Sequence, residues 1–100
     1  MPKYYLSGLM TGLPGLNYEA FNEAANTLRR MGFEIVNPVD LAVAEPSSSD
    51  NYYLRKDIQQ LMDSHGVFVL PGWEYSKGST LEVSNAVRLG MPVLAYPNLQ

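Results

Sequence analysis

The chain has 100 residues, of which 46% are hydrophobic and 17% are charged, which predicts one globular domain and excludes a largely disordered chain. It contains no cysteine, which excludes a disulfide framework and thiolate chemistry and fits the reducing cytoplasm, where we expect the protein. The formal net charge of −3 argues against binding to polymeric nucleic acid, and no apolar run reaches the roughly 18 residues needed to span a membrane.

Apolar periodicity and turn residues divide the chain into seven predicted elements. In chain order they are a strand at 3–7, a helix at 18–31, a strand at 33–37, a helix at 50–62, a strand at 66–70, a helix at 79–89 and a strand at 91–96. Asn17 and Gly32 are the candidate caps of the first helix. The polar stretch 38–50 is predicted to be a long loop, of the kind that often acts as a lid.

The alternation of strands and helices predicts an α/β fold with three main helices. Alternating elements are typical of a parallel sheet with right-handed crossovers. The run from Gly66 to Leu70 is apolar throughout, as expected for a strand that is buried on both faces. Ligands of such sheets bind outside the carboxyl ends of the strands, which points to the loops 8–17, 37–50 and 71–78.

The residues of this sequence do not fit several familiar functional motifs. Gly8, Gly12 and Gly15 do not fit the dinucleotide-binding spacing, and the order Lys77-Gly78-Ser79 is not that of a phosphate-binding P-loop. One histidine and no cysteine leave little for a transition metal, so we predict no metal site and no cofactor. His65 precedes a buried strand without a nucleophile elbow, and we interpret it as structural or merely exposed.

The candidate site is the segment from Ser76 to Glu82, which joins a buried strand to a helix. Amides at a helix start attract anions, so Ser76, Gly78 and Ser79 are candidate phosphate ligands. Glu82 lies one turn further, where the helix terminus should keep its carboxylate ionised, as a nucleophile must be. The alternative is a capping box, in which Glu82 only bonds back to the amide of Ser79.

Other side chains near the predicted crevice also have two interpretations. Asp57 shares a helix face with Tyr53 and is either a second functional carboxylate or a solvated helix acid. Trp73 and Tyr75 lie in a ligand-side loop, where they either stack on a base or cover the core. Tyr5, near the end of the first strand, is by default a core aromatic.

Five segments, spread over nearly the whole chain, form a recognisable pattern. They are Tyr5-Leu-Ser-Gly-Leu-Met-Thr-Gly12, Tyr53-Leu-Arg-Lys-Asp57, Leu70-Pro-Gly-Trp-Glu74, Ser76-x-Gly78-x-x-x-Glu82 and Gly90-x-Pro-Val. The pattern resembles the nucleoside 2-deoxyribosyltransferase superfamily, and within it the domain of unknown function 4406 branch of small, often phage- or prophage-encoded proteins. The resemblance implies one domain over residues 1–100, a flavodoxin-like or Rossmann-like three-layer sandwich with a four-stranded parallel sheet in the order 2-1-3-4.

The resemblance also implies an activity, that of a nucleoside or nucleotide N-glycosidase or deoxyribosyltransferase with a covalent glycosyl-glutamate intermediate. Glu82 matches the nucleophile, Asp57 matches the aspartate beside the base, and Tyr5 matches the tyrosine that orients the nucleophile. Positions that match the phosphate side of the family's site are Gly8, Ser76 and Gly78. The expected ligand is a nucleoside or nucleoside 5′-monophosphate, and small size and family habit imply a homodimer or higher homo-oligomer.

The sequence departs from the family pattern at three places. Leu9 stands where relatives carry Pro or Ser, and His65 stands where an Asp commonly precedes the third strand. The sequence also ends soon after the fourth strand, whereas the transferases use later residues that reach into a neighbour's site. Leu9 and the missing later residues favour the alternative of a catalytically idle nucleotide-binding module. A third hypothesis is an interaction protein with a vestigial pocket.

Overall fold

The computed structural model describes residues 2–97 and contains four strands and four α-helices in this range. They are β1 (Lys3–Ser7), α1 (Tyr18–Arg30), β2 (Glu34–Val36), α2 (Pro38–Ala44), α3 (Asp50–Met62), β3 (Gly66–Val69), α4 (Lys77–Arg88) and β4 (Val93–Ala95). Short 3-10 turns lie in the loops after β1 and β3, at Pro14–Asn17 and Trp73–Tyr75. Within residues 2–97, none of the helices combines the length and the apolarity needed to cross a membrane.

The four strands form one parallel sheet in the order β2-β1-β3-β4. In the register of this sheet, Tyr5 of β1 lies between Val36 of β2 and Val67 of β3. The α/β fold and the 2-1-3-4 strand order predicted from the sequence are therefore confirmed. The order makes β1 and β3 the two central strands. Because these strands are parallel, the loops that follow them lie at the same end of the sheet.

Alternate side chains of the central strands build a separate core on each face of the sheet. Leu6 and Phe68 pack with α1 on one face, while Tyr5 and Val67 pack with α3 and α4 on the other. Successive residues of a strand point to opposite faces, so Ser7 shares the α3–α4 face with Tyr5. Ser7 is only 1% exposed, which places a hydroxyl group inside this second core.

The stretch 38–50 contains a helix that the sequence analysis missed. Predicting a loop there was wrong, because α2 begins at Pro38 and brings the number of main helices from three to four. The side chain of Asn37 caps α2 by accepting a hydrogen bond from the amide of Val39 at 3.2 Å. Proline is favoured at the first position of a helix. Pro38 therefore starts α2 directly after Asn37, and β2 ends one residue earlier, at Val36. Only the short connection at 45–49 separates α2 from α3.

The two predicted caps of α1 have different outcomes. Asn17 is the N-cap residue of α1, as predicted, but it has a left-handed φ of 61° and its side chain makes no capping hydrogen bond. The side chain instead donates to the carbonyl of Leu9 at 3.0 Å and ties the loop after β1 to the start of α1. Gly32 follows the end of α1 with a φ of 100°, a conformation that favours glycine, which confirms the predicted stop.

Gly66, the first residue of β3, lies at a point where the neighbouring chain segments pack closely. A Cβ atom there would lie 2.5 Å from Cε2 of Tyr4 and 2.8 Å from the carbonyl oxygen of Pro92. We expect Gly66→Ala to lower the free energy of unfolding by about 1–3 kcal/mol, because neighbouring backbone must move, and urea denaturation measures this loss. The matched control is Gly78→Ala, whose Cβ meets nothing nearer than 3.7 Å and should leave stability unchanged or slightly raised. Equal stability of Gly66→Ala and the wild type would contradict the packing described.

Candidate active site

A crevice of about 710 Å³ opens at the carboxyl ends of β1 and β3. Its walls are the end of β1 with the loop that follows, the N-terminal half of α3, and the segment from Tyr75 to Glu82. This is the edge at which parallel α/β sheets bind their ligands. The described residues also form a smaller cavity of about 370 Å³ on the α1 side, and none of the predicted site residues lines it.

The start of α4 decides which groups reach the crevice. Ser76 is the N-cap, and its Oγ accepts a hydrogen bond from the amide of Ser79 at 3.1 Å. The helix therefore begins at Lys77, two residues before the predicted start at Ser79. Because the amide of Ser79 is bonded to Ser76, the capping-box interpretation of Glu82 is wrong. The carboxylate of Glu82 is free of the helix start and turns toward the sheet.

Two hydroxyl groups of β1 hold the carboxylate of Glu82, which is 5% exposed. The Tyr5 hydroxyl donates to Oε2 at 3.0 Å, and the Ser7 hydroxyl donates to Oε1 at 2.6 Å. Tyr5 and Ser7 are two residues apart on one strand and so point to the same face. Each carboxylate oxygen thus has its own donor, and β1 fixes the orientation of the group.

Ser79 extends this arrangement by one more hydroxyl group. The Oγ atoms of Ser79 and Ser7 lie 2.6 Å apart in the buried region. Because Ser7 gives its only hydroxyl proton to Glu82, Ser79 must be the donor in this pair. Ser7 is the residue that the sequence analysis missed, and its spacing of two from Tyr5 at the end of a strand was the available signal.

Asp57 brings a second carboxyl group to the same crevice from α3. Its Oδ1 atom is buried and has no hydrogen-bond partner among the described residues. Burial raises the pKa of Asp57 to about 7, and the nearby Tyr5 hydroxyl offsets part of this rise. Asp57 is therefore not a solvated helix acid, and its buried oxygen is available to a ligand.

The pKa of Glu82 is also raised to about 7, chiefly by burial. The hydrogen bonds from Ser7 and Tyr5 lower this pKa, while the charge of Asp57 raises it further. Burial thus opposes the ionisation that was expected for Glu82. Burial beside the two acids raises the pKa of Tyr5 well above its usual range, so its hydroxyl remains a proton donor.

The other predicted site residues divide between the crevice and the core. Gly8 lines the crevice, and a Cβ atom there would lie 3.0 Å from Cβ of Leu70. Ser76, Gly78 and Ser79 line its rim at the start of α4. Trp73 is not among the lining residues, because it packs against the core between the sheet and α4. Contact of Trp73 with a base stays a prediction, and Tyr75, which is 82% exposed, lines the crevice.

Within residues 2–97 no cluster of three or more His, Cys, Asp or Glu side chains is arranged to hold a metal ion. His65 lies outside the crevice, where its Nδ1 accepts a hydrogen bond from the amide of Lys3 at 3.1 Å. The amide of His65 donates in turn to the carbonyl of Lys3 at 2.7 Å. This pairing extends the contact between β1 and β3 and confirms the structural interpretation of His65.

The raised pKa of Asp57 makes a prediction about stability. A carboxyl group whose folded-state pKa is raised stabilises the fold fully below its ordinary pKa of 3.8, and this contribution is lost as pH rises through about 7. We expect Asp57→Asn to be more stable than the wild type by about 1 kcal/mol near pH 8, after allowing for solvent at the crevice mouth. The difference should vanish near pH 4, as measured by thermal unfolding across this range.

The matched control for this experiment is Asp63→Asn, which removes an exposed acid at the end of α3. Its stability relative to the wild type should stay within about 0.5 kcal/mol at every pH. An Asp57→Asn protein that is less stable than the wild type at alkaline pH would show that the ionised carboxylate is well accommodated in the fold.

Comparison with models of protein families matches residues 2–95 to the family described as Domain of unknown function (DUF4406). A comparison with curated proteins finds no match. The matched range contains all four strands, both carboxyl groups of the crevice and the hydroxyl groups that hold Glu82. The chain therefore belongs to the DUF4406 family.

Proposed function

We propose that this protein is a nucleoside or nucleotide N-glycosidase or 2-deoxyribosyltransferase in which Glu82 is the nucleophile. The observation that carries the proposal is the buried Glu82 carboxylate, which the Tyr5 and Ser7 hydroxyls hold in one orientation at the crevice. The volume of about 710 Å³ lies within the roughly 300–1,000 Å³ of small-molecule sites. Retaining glycosyl transfer uses a nucleophilic carboxylate together with a second carboxyl group, and Asp57 lines the same crevice.

The first step forms a covalent sugar–enzyme ester. One oxygen of Glu82 attacks C1′ of the sugar while the bond from C1′ to the base nitrogen breaks. The proton of Asp57 passes to the departing base, which leaves as a neutral molecule, and Asp57 becomes ionised. The Tyr5 and Ser7 hydroxyls keep the carboxylate aligned with C1′, so the geometry is set before the substrate arrives.

The second step releases the sugar from Glu82. Ionised Asp57 takes a proton from water, whose oxygen attacks C1′ and breaks the ester bond, which restores the Glu82 carboxylate. When a second base replaces water, its ring nitrogen attacks C1′ and its proton goes to Asp57. Hydrolysis and base exchange thus differ only in the acceptor, and both return the two carboxyl groups to their starting states.

A specific observation favours a second candidate, a nucleotide-binding module without turnover. A pKa of about 7 leaves a large share of Glu82 protonated at neutral pH, and a neutral carboxylic acid is a poor nucleophile. The same crevice would then hold a ligand through Asp57, the tyrosines and the start of α4, with no bond broken. The two candidates make different predictions about whether free base appears.

Substitution of the proposed nucleophile tests the first candidate. We expect Glu82→Gln to reduce release of free base from deoxynucleosides or their 5′-monophosphates by at least about a thousandfold, because glutamine cannot form the ester. Chromatography after long incubation measures the base, and a thermal shift with the same ligands reports binding. The control is Glu74→Gln, an exposed acid outside the crevice, which should release base at the wild-type rate.

Base release that survives in Glu82→Gln would remove Glu82 from the mechanism. A thermal shift with no base released by the wild type would support the binding module. If no nucleoside or nucleotide produces either effect, both candidates fail.

The protonation states of the two acids predict how the rate depends on pH. Glu82 must be ionised and Asp57 must be protonated, and each pKa is about 7, so kcat/KM should be bell-shaped with a maximum near pH 7. The two acids interact, so the apparent pKa values of the two limbs of the profile belong to the pair and not to the separate residues. Asp57→Asn should lose the alkaline limb and be slower by about 10²–10⁴-fold. A wild-type profile that still rises at alkaline pH would contradict these roles.

A further inference from the structure

The start of α4 has few free hydrogen-bond donors left for a phosphate group. The amide of Ser79 donates to Ser76, and its hydroxyl donates to Ser7. The amide of Thr80 donates to the carbonyl of Ser76 at 2.9 Å. The amides of Lys77 and Gly78 have no acceptor within the helix and remain available, together with the hydroxyl proton of Ser76. Of the three candidate phosphate ligands predicted from the sequence, Ser79 therefore has no free donor left, while Ser76 and Gly78 each keep one.

The charges that line the crevice are unfavourable for a phosphate. Three acids line it, namely Asp50, Asp57 and Glu82, and among the described residues only one cation does, the exposed Lys77. A 5′-monophosphate carries roughly −1.5 to −2 charges at neutral pH, so it would meet like charges on α3 and in the crevice. An exposed lysine is screened by salt and offsets only part of this repulsion.

The remaining lining suits a neutral ligand. Tyr53 and Tyr75 offer aromatic surface, and Leu9 and Met10 bring apolar surface from the loop after β1. The hydroxyl of Tyr53 already donates to the carbonyl of Glu45. Small-molecule sites typically combine such apolar walls with a few polar groups that fix orientation. Here the polar groups are the carboxyl groups and hydroxyls already described, which suit a sugar and a base.

We propose, on the basis of the proposed function, that the substrate is a nucleoside without a 5′-phosphate, and that Asp50 at the crevice rim opposes the phosphorylated form. Asp50 is the first residue of α3 and is exposed, so it takes no part in the chemistry assigned to Glu82 and Asp57. Its exposed carboxylate lines the crevice at the N-terminal end of α3. Specificity of this kind comes from repulsion of the wrong ligand as much as from attraction of the right one.

The test compares four deoxynucleosides with their 5′-monophosphates on the wild-type protein at low salt and about pH 7, near the expected maximum of kcat/KM. Calorimetry gives Kd, and chromatography of released base gives kcat/KM. We expect the preferred nucleoside to bind, and to react, at least about tenfold better than its monophosphate. This ratio should fall at high salt, because screening weakens the repulsion.

Asp50→Asn should bring the monophosphate about threefold closer to the nucleoside, whereas Asp63→Asn, outside the crevice on the same helix, should leave the ratio unchanged. A monophosphate that binds as well as the nucleoside, or equal effects of the two substitutions, would overturn this inference. In those cases base release that depends on Glu82 would still support the proposed function. No binding and no release with any of the eight compounds would contradict the proposed function itself.

Discussion

The site depends on one interaction, the pair of hydrogen bonds by which Tyr5 and Ser7 of β1 hold the two oxygens of Glu82. The bonds join residues more than 70 positions apart, so they exist only when α4 has packed against the sheet. That packing is apolar, since Val83 and Ala86 of α4 lie in the same core as Tyr5. A central strand thus supplies both the rigidity and the donors, and Glu82 cannot turn away without leaving both hydroxyls unpaired.

This arrangement costs stability in the empty protein. Burial raises the pKa of both Glu82 and Asp57 to about 7, and one oxygen of Asp57 is buried without a partner among the described residues. A fold shaped by stability alone would place amides or apolar groups at these positions. Pairs of acids with raised pKa values in a crevice are typical of functional sites, where the ligand supplies the missing partner. The same cost explains why a neutral substitution at Asp57 should stabilise the chain while it removes function.

Much of the fold could be predicted from local patterns, and two of the errors share one physical cause. Apolar runs and turn residues were enough for the four strands, whereas their order was expected from the resemblance to a known family and not from these patterns. The start of α4 could not be predicted from local patterns, because Ser76 and Ser79 are both good N-caps, and a contact between Ser79 and β1 distinguishes them only in the folded chain. Ser7 has its spacing of two from Tyr5 as a local signal, but its hydrogen bonds to Glu82 and Ser79 exist only in the folded chain. The helix α2 was missed because a proline directly after the predicted strand at 33–37 can end a strand as well as begin a helix, and Pro38 begins α2.

The most direct test of the central claim is to trap the sugar on the protein. The protein is incubated with a 2′-fluoro nucleoside analogue. The fluorine destabilises the oxocarbenium-like transition states and so slows both the formation and the hydrolysis of the sugar–enzyme ester. The quenched protein is then examined by mass spectrometry. The account predicts an added mass of one fluorinated sugar, carried by the peptide that contains Glu82, with release of one equivalent of base. Base released from the analogue while the sugar is attached to another residue, or to none, would contradict it.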